Sequence, residues 1–314
     1  MYDFTIIIPT HNRHHYLKRS IEYFSRFKVK VVYCDSTETP YSDSIFANIS
    51  YLHLPNFTFS RKILYAIENI DCGVIALCAD DDFLIIDSLI QGFAEMQKNE
   101  DIAAVFGNNI EFFDEFDGSF YADYKFSSRL ISGSIEEKIK ALFSDYRQVL
   151  WGMYRTPVLV DSFEIINHSN FTNDNFFEMV LGCVIINHGN ILFIENIWSA
   201  RELSSASHWA NRHKDLRHYY IDRPIQKDYK CFVQVLDEYM PQGIGALAFK
   251  MYLYQDKSLM FKILIKGIIK KAVPNYFLER RLRLSRIKEM PKKRVISEEI
   301  CLVHIKAVLD KQDV

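Results

Sequence analysis

The stretch that decides the fold of this chain spans residues 74–83 and reads Val74-Ile75-Ala76-Leu77-Cys78-Ala79-Asp80-Asp81-Asp82-Phe83. An apolar run of strand length is followed directly by three carboxylates, the carboxylate triplet Asp80, Asp81 and Asp82. Because adjacent negative charges repel one another, a fold that crowds them normally needs a cation there. Carboxylate oxygens suit Mg²⁺ or Mn²⁺, which keep positions open for substrate phosphates. The stretch predicts a metal and diphosphate site at the carboxyl end of a parallel strand, with an acidic loop or a helix cap as the alternative.

Strands and helices alternate on both sides of this stretch. Apolar strand-like runs occur at Phe4–Ile8, Val29–Cys34, Ile49–Leu54 and Ile102–Phe106, and helical patterns at Tyr16–Phe24, Arg61–Ile70 and Asp87–Lys98. This order predicts βαβ units, a parallel sheet and ligands at the carboxyl ends of its strands.

After Asn108 the pattern changes. We expect a hairpin over 111–126 around Asp117-Gly118, helices at Ile135–Phe143 and Asp174–Ile186, and strands at Leu150–Arg155 and Ile191–Trp198. From about Trp209 onward the chain is predicted to be mainly helical.

Composition limits the class of protein. Hydrophobic residues make up 49% of the 314 residues, enough for a substantial core, and the net charge of −2 argues against a nucleic-acid binder. Residues 257–294 carry a net charge of +11, which leaves −13 on the rest. Lys262, Lys266 and Lys270 share one helix face beside apolar residues, so this basic amphipathic segment could lie on an anionic membrane. A helix packed on the main domain with a solvated basic face is the alternative.

The cysteines and histidines give no metal motif. The six cysteines form no CxxC pair and have no zinc spacing. His11, His14 and His15 have no carboxylate partner at metal spacing and are predicted to face solvent. We find no secretory signal and no membrane-spanning apolar run, so the expectation is a reduced, cytoplasmic protein.

The ordered motifs of residues 3–205 resemble the GT-A glycosyltransferases, and most closely the inverting family 2. The matching stretches are Ile6–Arg13, Asp35-Ser36, Arg61-Lys62 and Leu77–Asp82, and Thr172–Phe177 is similar to the Glu-Asp motif that carries the family's base. The resemblance implies an α/β GT-A (Rossmann-like) domain over 1–205. It would comprise a nucleotide-binding half (1–108) and an acceptor half (109–205), followed by a mainly helical region (206–314) that contains the basic segment 257–294.

Two positions depart from the family pattern. Cys78 stands where the first Asp of the DxD motif is usual, so we expect the metal ligands to shift to Asp80 and Asp82. Asn173 replaces the usual Glu before Asp174. No QxxRW signature of processive enzymes follows, which favours the addition of one sugar per event.

The resemblance implies a metal-dependent inverting transferase that uses Mn²⁺ or Mg²⁺. It would move a sugar from a nucleotide-diphosphate sugar to a hydroxyl of a surface glycan or lipid-linked acceptor. A UDP-sugar is the first choice of donor. Family members with lipid-linked acceptors often work at the inner membrane face, so peripheral association there is expected.

The same resemblance gives each candidate residue a role. The base would be Asp174, with a plain helix N-cap as the alternative. Nucleotide contacts would come from Pro9, Thr10, Asn12, Arg13, Asp35, Arg61, Lys62, Asp80 and Asp81, acceptor contacts from Trp151, Gly152, Tyr154 and Arg155, and diphosphate contacts from Arg201 and His208. Three of these residues also have a structural alternative. Asp35 could form an N-cap or an Asx turn, Arg13 could be an ordinary surface residue, and Trp151 could be a core residue.

Two other functions compete. A sugar-phosphate nucleotidyltransferase would need a glycine-rich phosphate loop after the first strand, and Pro9–Lys18 contains no glycine. A catalytically inactive GT-A-like assembly or scaffolding protein is left open by Cys78 and Asn173.

Overall fold

The computed structural model describes residues 2–113, 119–122, 127–203, 213–255, 294–296 and 302–309. The eleven strands in these ranges form one sheet. They are β1 (Thr5–Thr10), β2 (Lys30–Asp35), β3 (Ile49–His53), β4 (Val74–Leu77), β5 (Phe83–Leu84), β6 (Ile102–Phe113), β7 (Phe120–Ala122), β8 (Arg129–Ile131), β9 (Met153–Arg155), β10 (Asn190–Leu203) and β11 (Arg294–Ile296). The main path through the sheet is β11-β7-β6-β9-β4-β1-β2-β3, and β10 pairs with β5, β6 and β8.

Helices pack on this sheet. The described α-helices are α1 (His14–Phe24), α2 (Phe59–Glu68), α3 (Ile86–Lys98), α4 (Ile135–Ser144), α5 (Thr156–His168), α6 (Asn175–His188), α7 (Arg223–Tyr239), α8 (Ile244–Tyr254) and α9 (Val303–Leu309), with a short 3-10 helix at Leu216–Tyr220. Several begin at a side-chain cap. Thr58 accepts the amide of Arg61 at α2, and Ser134 and Glu137 form a capping box at α4.

The parallel arrangement predicted for the first half is present in β1 to β4. β1 lies between β2 and β4 and is parallel to both, with Thr10 opposite Asp35 and Ile7 opposite Leu77. The carboxyl ends of these three strands therefore meet at one edge of the sheet. The α/β fold class is confirmed, but the sheet is mixed rather than purely parallel, because β9 runs antiparallel between β4 and β6.

β10 is longer than the predicted strand. It continues past Trp198 to Leu203, runs parallel to β6 and pairs antiparallel with β5, where Ser199 lies opposite Leu84. Because β5 directly follows the carboxylate triplet, this pairing brings Arg201 and Glu202 next to the triplet.

Two apolar cores lie on opposite faces of the sheet. Side chains alternate between the faces along a strand, and in β1 the Ile7 side chain joins one core while Ile6 and Ile8 join the other. Phe232 of α7 belongs to the first core and Ile305 of α9 to the second. Residues after 206 thus complete both cores, and the domain boundary at 205/206 stays a prediction.

The remaining expectations concern the edge of the sheet and the basic segment. β6 and β7 form the antiparallel pair expected of a hairpin, while Asp117-Gly118 lies outside the described residues. The basic segment 257–294 also lies outside them, except for Arg294, which begins β11 opposite Ala122. Within the described ranges, none of the helices combines the length and apolarity that crossing a bilayer requires.

Candidate active site

The carboxylate triplet is held by the loop that follows β1. Arg13 Nη1 lies 2.7 Å from Asp80 Oδ1, and Arg13 Nη2 lies 2.6 Å from Asp81 Oδ2. Thr10 Oγ1 donates a hydrogen bond of 2.6 Å to Asp80 Oδ2. Burial raises the pKa of Asp80 to about 6, a shift that Arg13 opposes and the neighbouring Asp81 reinforces. The predicted nucleotide residues Thr10, Arg13, Asp80 and Asp81 are therefore in one cluster, and Arg13 is not an ordinary surface arginine.

The end of β10 holds the third carboxylate. Arg201 Nε lies 3.3 Å from Asp82 Oδ2, and the backbone N–H of Glu202 donates to Asp82 Oδ1 at 3.2 Å. Burial raises the pKa of Asp82 to about 7, Arg201 opposes this shift, and the charge of Asp81 adds to it. Arg201 is thus in the cluster, whereas His208, predicted beside it, lies outside the described residues.

A buried ion pair that the sequence analysis missed supports this arrangement. Arg19 Nη1 lies 2.5 Å from Glu202 Oε2, and both side chains are at most 4% exposed. Arg19 Nη2 donates to the backbone oxygen of Asp81 at 2.8 Å, and the Tyr16 hydroxyl donates to Glu202 Oε1 at 2.7 Å. The pair joins α1, β10 and the triplet. No local pattern indicates it, because Arg19 and Glu202 are 183 positions apart.

Lys62 lies beneath the ends of β1 and β2. Its side chain is 3% exposed, and its ammonium donates to the Thr10 backbone oxygen at 2.5 Å and to Ser36 Oγ at 3.1 Å. Burial lowers the pKa of Lys62 to about 8. The adjacent Arg61 is exposed, and its guanidinium lies over the Phe57 ring, 4.4 Å from the centroid. Of this predicted pair, only Lys62 reaches the cluster.

Asp35 ends β2 in a fully buried position. Its Oδ1 accepts the Thr37 amide at 2.8 Å and the Thr37 hydroxyl at 2.5 Å, and its Oδ2 accepts the Tyr51 hydroxyl at 2.7 Å. The amide contact is the Asx turn that the sequence left open. Burial alone would raise the pKa of Asp35, but the hydrogen bonds outweigh it and the pKa is lowered.

His14 was predicted to face solvent, but in the structure it contacts a buried carboxylate. Its Nε2 lies 2.8 Å from Asp35 Oδ2, because α1 begins at His14 and directs the ring towards the end of β2. His11 and His15 are exposed, as expected.

Pro9 and Asn12 shape the loop after β1. Pro9 is buried within the strand. Asn12 has a left-handed backbone with φ 56°, a conformation that asparagine tolerates, and its N–H donates to Thr37 Oγ1 at 2.8 Å. The loop is thereby tied to the turn that follows Asp35.

Asp174 occupies the N-cap position of α6, but its side chain does not cap the helix. Its Oδ2 lies 2.9 Å from His213 Nε2. The amide of Asn175 is accepted instead by Asn173 Oδ1 at 3.0 Å. Asn173, the departure from the family pattern, therefore does the capping, and the Asp174 carboxylate is left for another role.

A chain of polar contacts leads from the triplet to α6. Arg201 Nη1 donates to Gln148 Oε1 at 2.5 Å, and Gln148 and Arg201 lie close enough to Glu178 to oppose the rise in its pKa that burial causes. The Tyr146 hydroxyl donates to Glu178 Oε2 at 2.9 Å, and burial raises the pKa of Glu178. Because Glu178 is four residues after Asp174, the two are about 6 Å apart along the helix axis. Asp174 thus lies about one helical turn from a chain of contacts that ends on Asp82.

Two of the four predicted acceptor residues lie near the carboxyl end of β4. The Gly152 backbone oxygen accepts the Leu77 amide at 2.9 Å, and a Cβ at Gly152 would lie 2.1 Å from Cε1 of Phe106. Trp151 is half-buried and meets the Phe59 ring edge-on at 6.2 Å between centroids. Gly152 therefore serves close packing, and Trp151 packs against the apolar core while it stays partly exposed.

The side chains of Tyr154 and Arg155 serve the fold instead. Tyr154 is fully buried and its hydroxyl donates to the Val149 backbone oxygen. Arg155 pairs with Val74, at the opposite end of β4 from the triplet, and its guanidinium donates to the backbone oxygens of Ile102 and Met96. The Tyr154 side chain is thus enclosed in the core, and Arg155 lies at the end of β4 remote from the triplet.

Comparison with known proteins agrees with this geometry. The sequence profile of glycosyl transferase family 2 matches residues 5–169. The fold is similar to that of TarS 1-349 from S. aureus in complex with UDP-GlcNAc, with a TM-score of 0.53 and 11% sequence identity over 81% of this chain and 72% of that chain. A second crystal structure of TarS 1-349 gives a TM-score of 0.50 and 12% identity over 83% of this chain and 92% of that one. No curated protein sequence is significantly similar to the chain.

The likeness to TarS shows the fold, and the sequence profile shows the family. The profile covers just over half of the 314 residues and includes β1, β2 and β4, the strands whose ends carry the triplet and its partners. The chain belongs to glycosyl transferase family 2 and is a glycosyltransferase.

Proposed function

We propose that this glycosyltransferase moves one sugar from a nucleotide-diphosphate sugar, a UDP-sugar, to a hydroxyl of a surface glycan or lipid-linked acceptor, with inversion at the sugar carbon. The observation that carries the proposal is the cluster at the ends of β1 and β4, where Arg13 and Arg201 meet the carboxylate triplet. Such a cluster places cationic and anionic groups where a diphosphate and its counter-ion must bind together.

The arginines bind the diphosphate. Arg13 and Arg201 are 24% and 32% exposed, so each side chain is partly accessible to a ligand while its guanidinium contacts a carboxylate. A guanidinium matches two phosphate oxygens at once. The nucleoside lies over the loop after β1, where His14 and Tyr51 present partly exposed rings above the buried Asp35. TarS, with a similar fold, was crystallised with UDP-GlcNAc, which makes a UDP-sugar the first donor to test.

Asp80 and Asp82 fit a divalent cation that takes its other ligands from the donor. Among the residues described, no three or more His, Cys, Asp or Glu side chains are arranged to hold an ion by themselves. Mg²⁺ and Mn²⁺ commonly use one or two carboxylates together with phosphate oxygens and water. Burial raises the pKa of both aspartates, so a cation bound beside them would favour their ionised form. When bound, the ion would offset the charge that develops on the leaving diphosphate.

Asp174 acts as the general base. It accepts the proton of the acceptor hydroxyl as the hydroxyl oxygen attacks the anomeric carbon from the face opposite the diphosphate. The bond between that carbon and the diphosphate oxygen breaks, and the nucleoside diphosphate leaves. The partly exposed Trp151 packs against the acceptor sugar. The basic segment 257–294 holds the enzyme at the anionic inner membrane face, a proposal that rests on sequence alone.

Ligand-induced thermal stabilisation tests the donor site. Wild-type protein, Asp82→Asn and the control Asp87→Asn, an exposed position at the start of α3, are melted with UDP, GDP, CDP and UDP-sugars, with and without Mn²⁺. A ligand that binds only the folded state raises the melting temperature. We expect uridine nucleotides to stabilise wild type and Asp87→Asn in the presence of Mn²⁺ but not Asp82→Asn.

The outcomes separate the competing functions. If none of the nucleotides stabilises the wild-type protein, the donor site is wrong. Stabilisation without release of UDP from any UDP-sugar, across a panel of acceptors, would instead support the binding-only scaffold.

A further inference from the structure

The two asparagines that flank Asp174 hold a distant part of the chain. Asn173 Nδ2 donates to the Lys214 backbone oxygen at 2.7 Å, and Asn175 Nδ2 donates to the same oxygen at 3.1 Å. Because Lys214 directly follows His213, this double contact fixes the position of the His213 backbone relative to Asp174. We call residues 173–175 the asparagine clamp.

A buried carboxylate of α7 holds the asparagine clamp in place. Asp228 of α7 is 1% exposed, and its Oδ2 accepts the amide of Thr172 at 3.0 Å, the hydroxyl of Thr172 at 2.9 Å and the amide of Asn173 at 2.9 Å. Three hydrogen bonds to one buried carboxylate are strong, because the acceptor is charged and shielded from water. The turn before α6 therefore has little freedom to move.

The Asp174 carboxylate faces the imidazole of His213. The side chains of His213 and Asp174 are 6% and 18% exposed, and their contact distance is 2.9 Å. An aspartate at an N-cap position normally accepts an amide of its own helix. Here Asp174 does not: its backbone is helical, with φ −65° and ψ −10°, its carboxylate faces His213, and Asn173 accepts the amide of Asn175. Without the imidazole, the carboxylate would be free to rotate onto the amides of the first turn of α6.

We propose that His213 is a positioning residue for Asp174, held in place by the asparagine clamp, and that it keeps the carboxylate turned away from its own helix and available to the acceptor hydroxyl. The inference rests on the proposed function, because it assigns His213 to the base of that reaction. It also gives the departure at Asn173 a purpose. An asparagine has both the oxygen that caps α6 and the amide that holds Lys214, whereas a glutamate has no amide to donate.

Two variants of His213 test the proposal. His213→Gln keeps a side-chain N–H near the position of Nε2, and His213→Phe keeps a ring but has no donor. The control is His188→Gln, because His188 makes a similar contact, 2.7 Å from Asp161, at the other end of α6, about 20 Å from Asp174. Release of UDP from the UDP-sugar that best stabilises the protein is measured as kcat and KM.

We expect His213→Phe to lower kcat at least tenfold with KM for the donor within about twofold, and His213→Gln and His188→Gln to keep kcat within about threefold. A crystal structure of His213→Phe should show the Asp174 carboxylate on an amide of α6. Full kcat in His213→Phe with the carboxylate unmoved would overturn the proposal. Equal losses in the Gln and Phe variants, with Asp174 in place, would overturn it too, because His213 would then act in the chemistry itself.

Two further readouts keep the proposal testable if a variant misfolds or no donor is turned over. Asn173→Ala removes one arm of the clamp together with the Oδ1 that caps α6, and it should lower kcat in the same way without changing His213. If the wild-type protein turns over none of the donors, the proposed function fails, whereas the orientation of Asp174 in crystals of wild type and His213→Phe still decides the role of His213.

Discussion

Lys62 offers the sharpest test of the electrostatics beneath the site. Its ammonium is 3% exposed and is held by the Thr10 backbone oxygen and Ser36 Oγ. The perturbation is Lys62→Met, which keeps an unbranched side chain one atom shorter and removes the charge. The matched control is Lys140→Met, an exposed lysine on α4.

The magnitude follows from the pKa of Lys62. Burial lowers it from 10.5 to about 8 in the folded protein. Between about pH 7 and pH 9 the folded protein loses this proton while the unfolded chain keeps it, so the unfolded state binds more protons and stability rises with pH. Integrated over that window, the wild-type free energy of unfolding should gain about 1.3 kcal/mol from this residue. Lys62→Met cannot titrate there and should lack the gain.

The assay is urea denaturation of wild type, Lys62→Met and Lys140→Met at several pH values within this window. The difference in the free energy of unfolding between wild type and Lys62→Met should change by about 1.3 kcal/mol in favour of wild type as the pH rises. Lys140→Met should follow wild type at every pH. Parallel curves for wild type and Lys62→Met would refute the reasoning, because they would mean that the pKa of Lys62 is the same in the folded and the unfolded protein.

Three further variants probe the packing and charge of the site. Gly152→Ala should lower the free energy of unfolding by about 3 kcal/mol in urea, because its Cβ would lie 2.1 Å from a carbon of the Phe106 ring; an unchanged midpoint would show that the ring moves aside freely. Arg19→Met should lower the free energy of unfolding by about 3–5 kcal/mol in the same measurement, since it leaves Glu202 buried without its cation. Adding Glu202→Gln should recover part of this loss. If the double variant is no more stable than Arg19→Met, the unpaired charge is not the cause. Arg13→Gln should weaken UDP binding about tenfold in calorimetry, or about 1.4 kcal/mol, and an unchanged affinity would remove Arg13 from the donor site.

The sequence alone determined the class of fold and the family, and it predicted where the candidate site lies. Continuous apolar runs indicate buried strands, and their alternation with helical patterns predicts a sheet with ligands at the carboxyl ends of its strands. β1 to β4 confirm this order. The family suggested by the motifs of residues 3–205 is confirmed by the match over residues 5–169. These inferences succeed because the periodicity of strands and helices and the short motifs each depend on a few neighbouring residues.

Only the tertiary structure decided which side chains meet. β9 inserts antiparallel beside β4, a pairing that its short apolar run does not specify. Arg19 contacts Glu202, His14 contacts Asp35, and Asp174 contacts His213. The two residues of each pair are far apart in the sequence. Periodicity reports which residues are buried, but the partner of a buried charge depends on how distant elements pack. For that reason the carboxylates of the candidate site and the basic residues Arg13, Lys62 and Arg201 could be predicted from the sequence, whereas the contacts between them, and the parts played by Arg19 and His213, could not.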